Sequence, residues 1–511
     1  MQDAYFLPPV DLLQTSLRGG GKIDREALIR RARELETAIH AFGLNATIVE
    51  MELGPLFTGF HVELPAGARM AQLLNMQDDL ARVLALRSIQ IEPVAGKSVV
   101  NVLLPNDRHD AVMLSELIAS ADFEEAAGSL PMLLGKTISG EVTCVDLSIL
   151  QHLLIAGTTG SGKSMGLHGI LLSLLYRLTP DRVRFILIDP KAVELGPYGG
   201  IPHLLADVVT DLSKAVRALR WAVEHMDDRY RMMAAIGVKS LDAFNAKITA
   251  ARLAGNPFRM PTQRGYDADN RHSLYEDDEL VCLPAIVIAI DDLGDVMMEL
   301  SKEVDPLLQR LAQRGHRAGL HLILLAERPS AAIVGGAVKA NLSSRIAYRV
   351  ISAAESRIVL DEAGAEGLVG RGEMLFRAAG STVQHIHGAF VSDAEIQAVA
   401  DHWRSQGQPD YIDITFEHPA PAAQLEDDGL YEQAISIVLG SGKSSTAYIQ
   451  RQLRISYNSA ARIIERMERD GVIGAPDHVG RREIYQHGHE VVPDRPPTTP
   501  IRSRFRWPWE R

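Results

Sequence analysis

Residues His152 to Tyr176 read HLLIAGTTGSGKSMGLHGILLSLLY, an apolar run that enters a glycine-rich turn and leaves with helical spacing. Within it Gly157, Gly162, Lys163 and Ser164 satisfy G-x-x-x-x-G-K-[ST], with a strand before and a helix after, the context the motif requires. The pattern predicts a phosphate loop over Gly157, Thr158, Thr159, Gly160, Ser161, Gly162, Lys163 and Ser164. Glycines let backbone N–H groups close around phosphate oxygens. Lys163 is placed to reach the β and γ phosphates and the Ser164 hydroxyl to hold Mg²⁺, so the ligand read from the motif is ATP with Mg²⁺. The following helix points its positive end at that negative charge. A second string, SGKS at Ser441 to Ser444, is a decoy, because Ile437 stands where the first glycine belongs.

Downstream, the runs LLIAG, FILID, AIVIAID, LHLILLA and SRIAYRV alternate with amphipathic stretches, as a parallel sheet with crossover helices does. The fold class read from this pattern is α/β. A phosphate-loop ATPase needs a carboxylate to anchor Mg²⁺ and a group to orient the attacking water, both at a strand end beside the loop. AIVIAIDD supplies both: Asp291 for the metal's hydration shell and Asp292 for the water. Asp189 in FILIDPK also ends an apolar strand, but Pro190 and Lys191 add no second carboxylate. Paired aspartates can merely cap the next helix, a reading that leaves Lys163 and Ser164 without a metal partner. Arg345, Arg349 and Arg357 are candidates for the arginine that a ring ATPase places on its neighbour's nucleotide. The sequence does not choose among them.

The chain has 511 residues and a formal charge of −12, which excludes general non-specific nucleic-acid affinity but leaves room for local basic surfaces. Its two cysteines, Cys144 and Cys282, lack metal spacing, so a zinc cluster or disulfide framework is not expected and a reducing cytoplasm is. No apolar run approaches the roughly 18 residues of a membrane span, and no signal-peptide pattern opens the chain, so direct membrane insertion is not expected.

In order, residues 1–45 read as an irregular lead-in and a helix whose cap is Asp24 and whose apolar face carries Leu28, Ala32, Leu35, Ile39 and Phe42. Residues 46–125 read as a small α+β module built from TIVEMEL, FTGFHVEL, a helical MAQLLNMQDDLARVLAL, SIQIEP and VVNVLL. The ATPase motor is assigned to 126–412, with a polar surface excursion from Gly255 to Glu279. A Pro- and Asp/Glu-bearing linker follows over 413–426, then a helical module over 427–487 and a disordered tail over 488–511. The module at 427–487 reads as three helices and a hairpin-like turn, a winged helix-turn-helix. In its third helix Ala460, Ile464 and Met467 form the buried stripe. Asn458, Arg462 and Glu465, with Arg469, occupy another face, where they are spaced to read base edges or equally to form ordinary helix salt bridges.

These strings resemble the FtsK/SpoIIIE double-stranded DNA translocases over most of the chain. The resemblance is carried by HLLIAGTTGSGKS, VRFILIDPK, GIPHLLADVVTD, LHLILLAERPS, VKANLSSRIAYRV, SRIVLDEAGAEGLVGRGEML and HGAFVSDAEIQ. YNSAARIIERME is similar to the family's γ recognition helix, which makes Asn458, Arg462 and Glu465 the implied DNA-reading residues. Gly54-Pro55, DLARVLA and PPVDLL echo its α module and entry. The resemblance implies a RecA-like motor stacked on the α module, a homohexameric ring around duplex DNA, and a γ winged helix that orients loading on the chromosome. It also implies a role in chromosome segregation and cell division and, as partners, XerCD-type recombinases. Three departures stand out: the family's usual N-terminal membrane segments do not appear, Asp291-Asp292 replaces Asp-Glu, and Ala326-Glu327 replaces Thr-Gln. The first leaves septal recruitment to a partner. The others predict that Glu327 orients the attacking water, with Asp292 in support. Competing readings are a DNA pump of a conjugative or mobile element, a protein-secretion ATPase, and a DNA-binding scaffold with a weakened nucleotide site.

Overall fold

The structure is a computed structural model that describes residues 5–14, 25–54, 57–65, 67–86, 89–94, 99–106, 111–267, 272–330, 333 and 336–412, and, further on, 431, 433–439, 446–453, 460, 463–464, 466–468 and 472–473. The chain forms two compact units, of which the smaller is Phe416–Arg504.

In the larger unit the strands β1 (Thr47–Leu53), β2 (Phe57–Glu63), β3 (Gln90–Pro93) and β4 (Val99–Pro105) make an antiparallel sheet in the order β1-β2-β4-β3. The first helix, Arg25–Ala41, lays Leu35, Ala38 and Ile39 onto Phe60, Val62, Val100 and Val102 of that sheet. It therefore belongs to the module's core, although its sequence grouped it with the lead-in. The expected single helix after β2 is two, Met70–Asn75 and Gln77–Val83, separated at Met76.

The motor is one nine-stranded sheet. Its strands are β5 (Pro131–Thr137), β6 (Val142–Asp146), β7 (Leu153–Ala156), β8 (Val183–Ile188), β11 (Ala285–Ile290), β12 (Leu320–Ala326), β13 (Ser344–Tyr348), β14 (Glu373–Arg377) and β15 (Gln384–Gly388), in the order β6-β5-β15-β14-β13-β7-β12-β11-β8. The five apolar runs are the five contiguous parallel strands β13-β7-β12-β11-β8. They are buried throughout because helices cover both faces. Antiparallel pairing extends the sheet through β14, β15, β5 and β6. Val112, Leu114, Leu117 and Phe123 join the motor core, so the division between the two cores lies nearer 106–111 than the expected 125. The lead-in is anchored on the motor as well: Leu13 is buried, Ser115 Oγ donates to Gln14 O at 2.6 Å, and Gln14 N–H donates to Glu395 at 2.7 Å. The surface excursion is a separate antiparallel hairpin of β9 (Arg259–Asp267) and β10 (His272–Glu279). No helix among the described residues is long and apolar enough to cross a membrane.

In the smaller unit Tyr431, Ala434, Val438, Ile449, Ala460, Ile463, Ile464, Met467 and Ile473 form a core that includes all three residues of the expected stripe. Asn458, Arg462, Glu465, the linker 413–426, the decoy Ser441 to Ser444 and the tail 488–511 lie outside the described residues.

Candidate active site

Because these five contiguous strands are parallel, their carboxyl ends lie along one side of the sheet, where open α/β sheets bind ligands. Ala326 is level with Ala156, and Ile290 is level with both Leu324 and Ile188. The phosphate loop at the end of β7 and the acidic pair at the end of β11 are thus one strand apart, with Glu327 on the strand between them. The strands ending at Asp291-Asp292 and at Ala326-Glu327 are neighbours.

Gly157 N–H donates to Ala326 O at 3.2 Å, and Thr158 donates to Arg349 O through both its N–H (2.9 Å) and its hydroxyl (3.1 Å). Gly162 caps the helix Lys163–Arg177 at φ 109°, a left-handed conformation that favours glycine. A Cβ there would also lie 2.6 Å from Gly372 N. Buried Tyr348 passes beneath the loop: a Cβ at Gly157 would lie 2.6 Å from its Cβ, and one at Gly166 only 1.9 Å from its hydroxyl. Packing alone therefore requires glycine at Gly157 and Gly162, the two positions the phosphate-loop motif sets. Lys163 and Ser164 open the helix, so their N–H groups are among those with no intrahelical partner.

Asp291 is 5% exposed, and its Oδ1 has no hydrogen-bond partner among the described residues. Burial pushes its carboxyl up to about 6, with Asp189, Glu194 and Asp292 adding repulsion and Lys163 opposing. An unpartnered buried carboxylate oxygen fits a hard divalent cation, which takes oxygen ligands and commonly one or two protein carboxylates, and Asp189 Oδ1 is a second such oxygen. Asp292 begins the helix Leu293–Arg314 from a left-handed φ of 55°, tolerated by aspartate, and is 6% exposed. Asp189 is fully buried, and its Oδ2 accepts Glu194 N–H and Leu195 N–H, both at 2.9 Å, which fixes the turn after β8.

That turn brings up two residues that sequence reasoning passed over. Lys191 hydrogen-bonds Asp292 and donates to Glu327 Oε2 at 3.3 Å, with Asp295 at 3.8 Å. The bond to Asp292 holds its ammonium above the usual lysine range against the opposing effect of burial. Glu194 approaches His168 at 3.5 Å; that contact, together with the Ser164 hydroxyl and Lys163, lowers its carboxyl while burial opposes. Glu327 completes the connection, because its Oε1 accepts the hydroxyl of Thr159 in the loop.

Residues 113–331, which hold the phosphate loop, Asp189, Lys191, Glu194, the acidic pair and Glu327, match the FtsK/SpoIIIE family; residues 7–106 match the FtsK alpha domain and 425–487 the Ftsk gamma domain. The chain belongs to the FtsK/SpoIIIE family. It is 41% identical over 496 residues to the DNA translocase FtsK of Brucella suis biovar 1 (strain 1330), which covers 95% of this chain and 58% of that protein. To the protein of the same name from Caulobacter vibrioides (strain ATCC 19089 / CIP 103742 / CB 15) it is 41% identical over 513 residues, 98% of this chain and 61% of the relative. The chain thus spans about three fifths of the curated relatives it matches. Within the FtsK/SpoIIIE frame the three arginines separate. Arg345 is 9% exposed and bonds Leu342 O, Val359 O and Asp361, so it braces β13. Arg349 and Arg357 are exposed.

Proposed function

We propose that this chain is the motor portion of an ATP-dependent double-stranded DNA translocase that works as a homohexamer at the cytoplasmic side of the division machinery in chromosome segregation. The observation that carries the reading is the unpartnered, buried Oδ1 of Asp291 beside Lys163 at the mouth of the phosphate loop. Lys163 and the loop amides bind the β and γ phosphates, Ser164 and Asp291 hold Mg²⁺, and Asp292 and Glu327 orient water for in-line attack. When bound, Mg²⁺ supplies charge neutralisation at the phosphate oxygens. Arg349 or Arg357 reaches the neighbouring subunit's nucleotide. Asn458, Arg462 and Glu465 of the Ftsk gamma match read short DNA sequences and orient loading, and XerCD-type recombinases are its partners.

The test is ATP turnover with and without long duplex DNA, in the wild type and in Lys163→Ala. DNA is expected to stimulate the wild type several-fold, and Lys163→Ala to abolish turnover while the gamma module still binds duplex. Turnover indifferent to DNA would favour a protein pump. Near-normal turnover by Lys163→Ala would remove the phosphate-loop assignment.

A further inference from the structure

We propose that Lys191 recognises the γ-phosphate of a nucleoside triphosphate, and that its charge is what makes a carboxylate at position 327 compatible with that phosphate. The inference rests on the ATP reading above and extends it to a residue outside the phosphate-loop motif and the acidic pair.

The turn that presents Lys191 is fixed. Asp189 Oδ2 takes two backbone N–H groups, Ala192 N–H donates to Asp189 O at 3.0 Å, and Ala192 adopts φ 56°. Lys191 is thereby carried from the end of β8 across the ends of β11 and β12. Its ammonium has three donors. Two are engaged by Asp292 and Glu327; Asp295 at 3.8 Å is beyond hydrogen-bond reach. The lysine side chain is 45% exposed, so its third donor is accessible from the sheet edge.

The electrostatics require such a group. Asp292, Asp295 and Glu327 all surround Lys191, and Glu327 also touches Thr159 of the loop itself. Without a cation there, a phosphate entering the loop would meet these carboxylates in a partly desolvated cleft, where like charges repel far more than in water. Lys163 opens the helix that follows the loop, and Lys191 is linked to the loop's Thr159 through Glu327. On this proposal the γ-phosphate, which ADP lacks, is the group that Lys191 meets. The pair Lys191–Glu327 should therefore act as one unit: removing the lysine exposes the glutamate's charge, and neutralising the glutamate relieves the need for the lysine.

The experiment measures the affinity of the full chain for ATPγS and for ADP by titration calorimetry, in EDTA and in Mg²⁺. Lys191→Met is expected to weaken ATPγS at least tenfold and to leave ADP within about twofold. Lys191→Arg, which keeps the charge, should stay within a few-fold of wild type for both. Adding Glu327→Gln to Lys191→Met should restore most of the lost ATPγS affinity. Unchanged ATPγS binding, equal weakening of ADP, or failure of Glu327→Gln to rescue would each overturn the assignment. If the wild type binds neither nucleotide, the phosphate-loop reading itself fails and this inference with it; if it binds ADP normally and Lys191→Met does not discriminate, only the Lys191 inference fails.

Discussion

Replacing Glu373 by glutamine tests how the N-terminal sheet is fastened to the motor. Glu373 of β14 is fully buried; its Oε1 lies 2.6 Å from His385 Nε2 of β15 and accepts Gln90 Nε2 of β3 at 3.2 Å. Its Oε2 accepts Val369 N–H at 2.6 Å. Glu92 of β3 lies 3.7 Å from the other ring nitrogen, and Phe57 packs 5.8 Å from the ring. Burial alone would depress His385, but the hydrogen bond to Glu373 and the Glu92 carboxylate outweigh it and push the imidazole from 6.5 up to about 9. The folded state therefore holds a proton that the unfolded state releases above its ordinary value. The stabilisation is complete below about pH 6.5 and is lost as pH rises through about 9, on the order of 3 kcal/mol in all. Glu373→Gln keeps the shape and the amide can still accept from Val369, yet it leaves the imidazolium only the more distant Glu92. Calorimetric melting of the full chain should show a loss of several degrees at pH 6 and about one degree or none at pH 10, where the wild type has already released the proton. An equal loss at both pH values would mean that Glu373 acts by packing, and the charge argument would be wrong.

Gly166→Ala should destabilise the motor by about 1–3 kcal/mol, since its Cβ would meet the Tyr348 hydroxyl at 1.9 Å, and Tyr348→Phe in the same chain should recover part of that; thermal melts decide, and an unchanged melt would refute the packing. Glu327→Gln should nearly abolish ATP hydrolysis, while Asp292→Glu with Glu327→Gln should restore it; steady-state turnover that is unchanged or raised in Glu327→Gln would exclude a water-orienting role for this residue. Arg462→Ala should cost about 1–3 kcal/mol at one base position and relax sequence preference. Equal weakening on every duplex, read by competition binding, would make Arg462 a phosphate contact.

Much of this protein was legible in the chain because its signals are local. A phosphate loop needs glycines at fixed spacing in a strand–turn–helix segment, and a parallel strand buried on both faces must be apolar along its length; Leu153–Ala156, Ala285–Ile290 and Leu320–Ala326 announce themselves by that rule alone. The antiparallel strands did not. Glu373–Arg377 and Gln384–Gly388 carry a buried glutamate and two histidines that only pairing across the sheet and the N-terminal module's Gln90 and Glu92 can satisfy. The hairpin at 259–279 hid its strands for a related reason, as Pro261 and a run of acidic residues obscure the alternation that pairing stabilises. Tertiary structure also decided which charges meet. Lys191 follows Asp189 in sequence and there reads as the end of a strand that lacks a second carboxylate. The order β12-β11-β8 sets it across two neighbouring strands, against Asp292 and Glu327, residues 101 and 136 positions away. Strand order is fixed by how crossover helices cover the sheet, a long-range packing outcome that no window of sequence records, so the loop was readable in advance and its opposite wall was not.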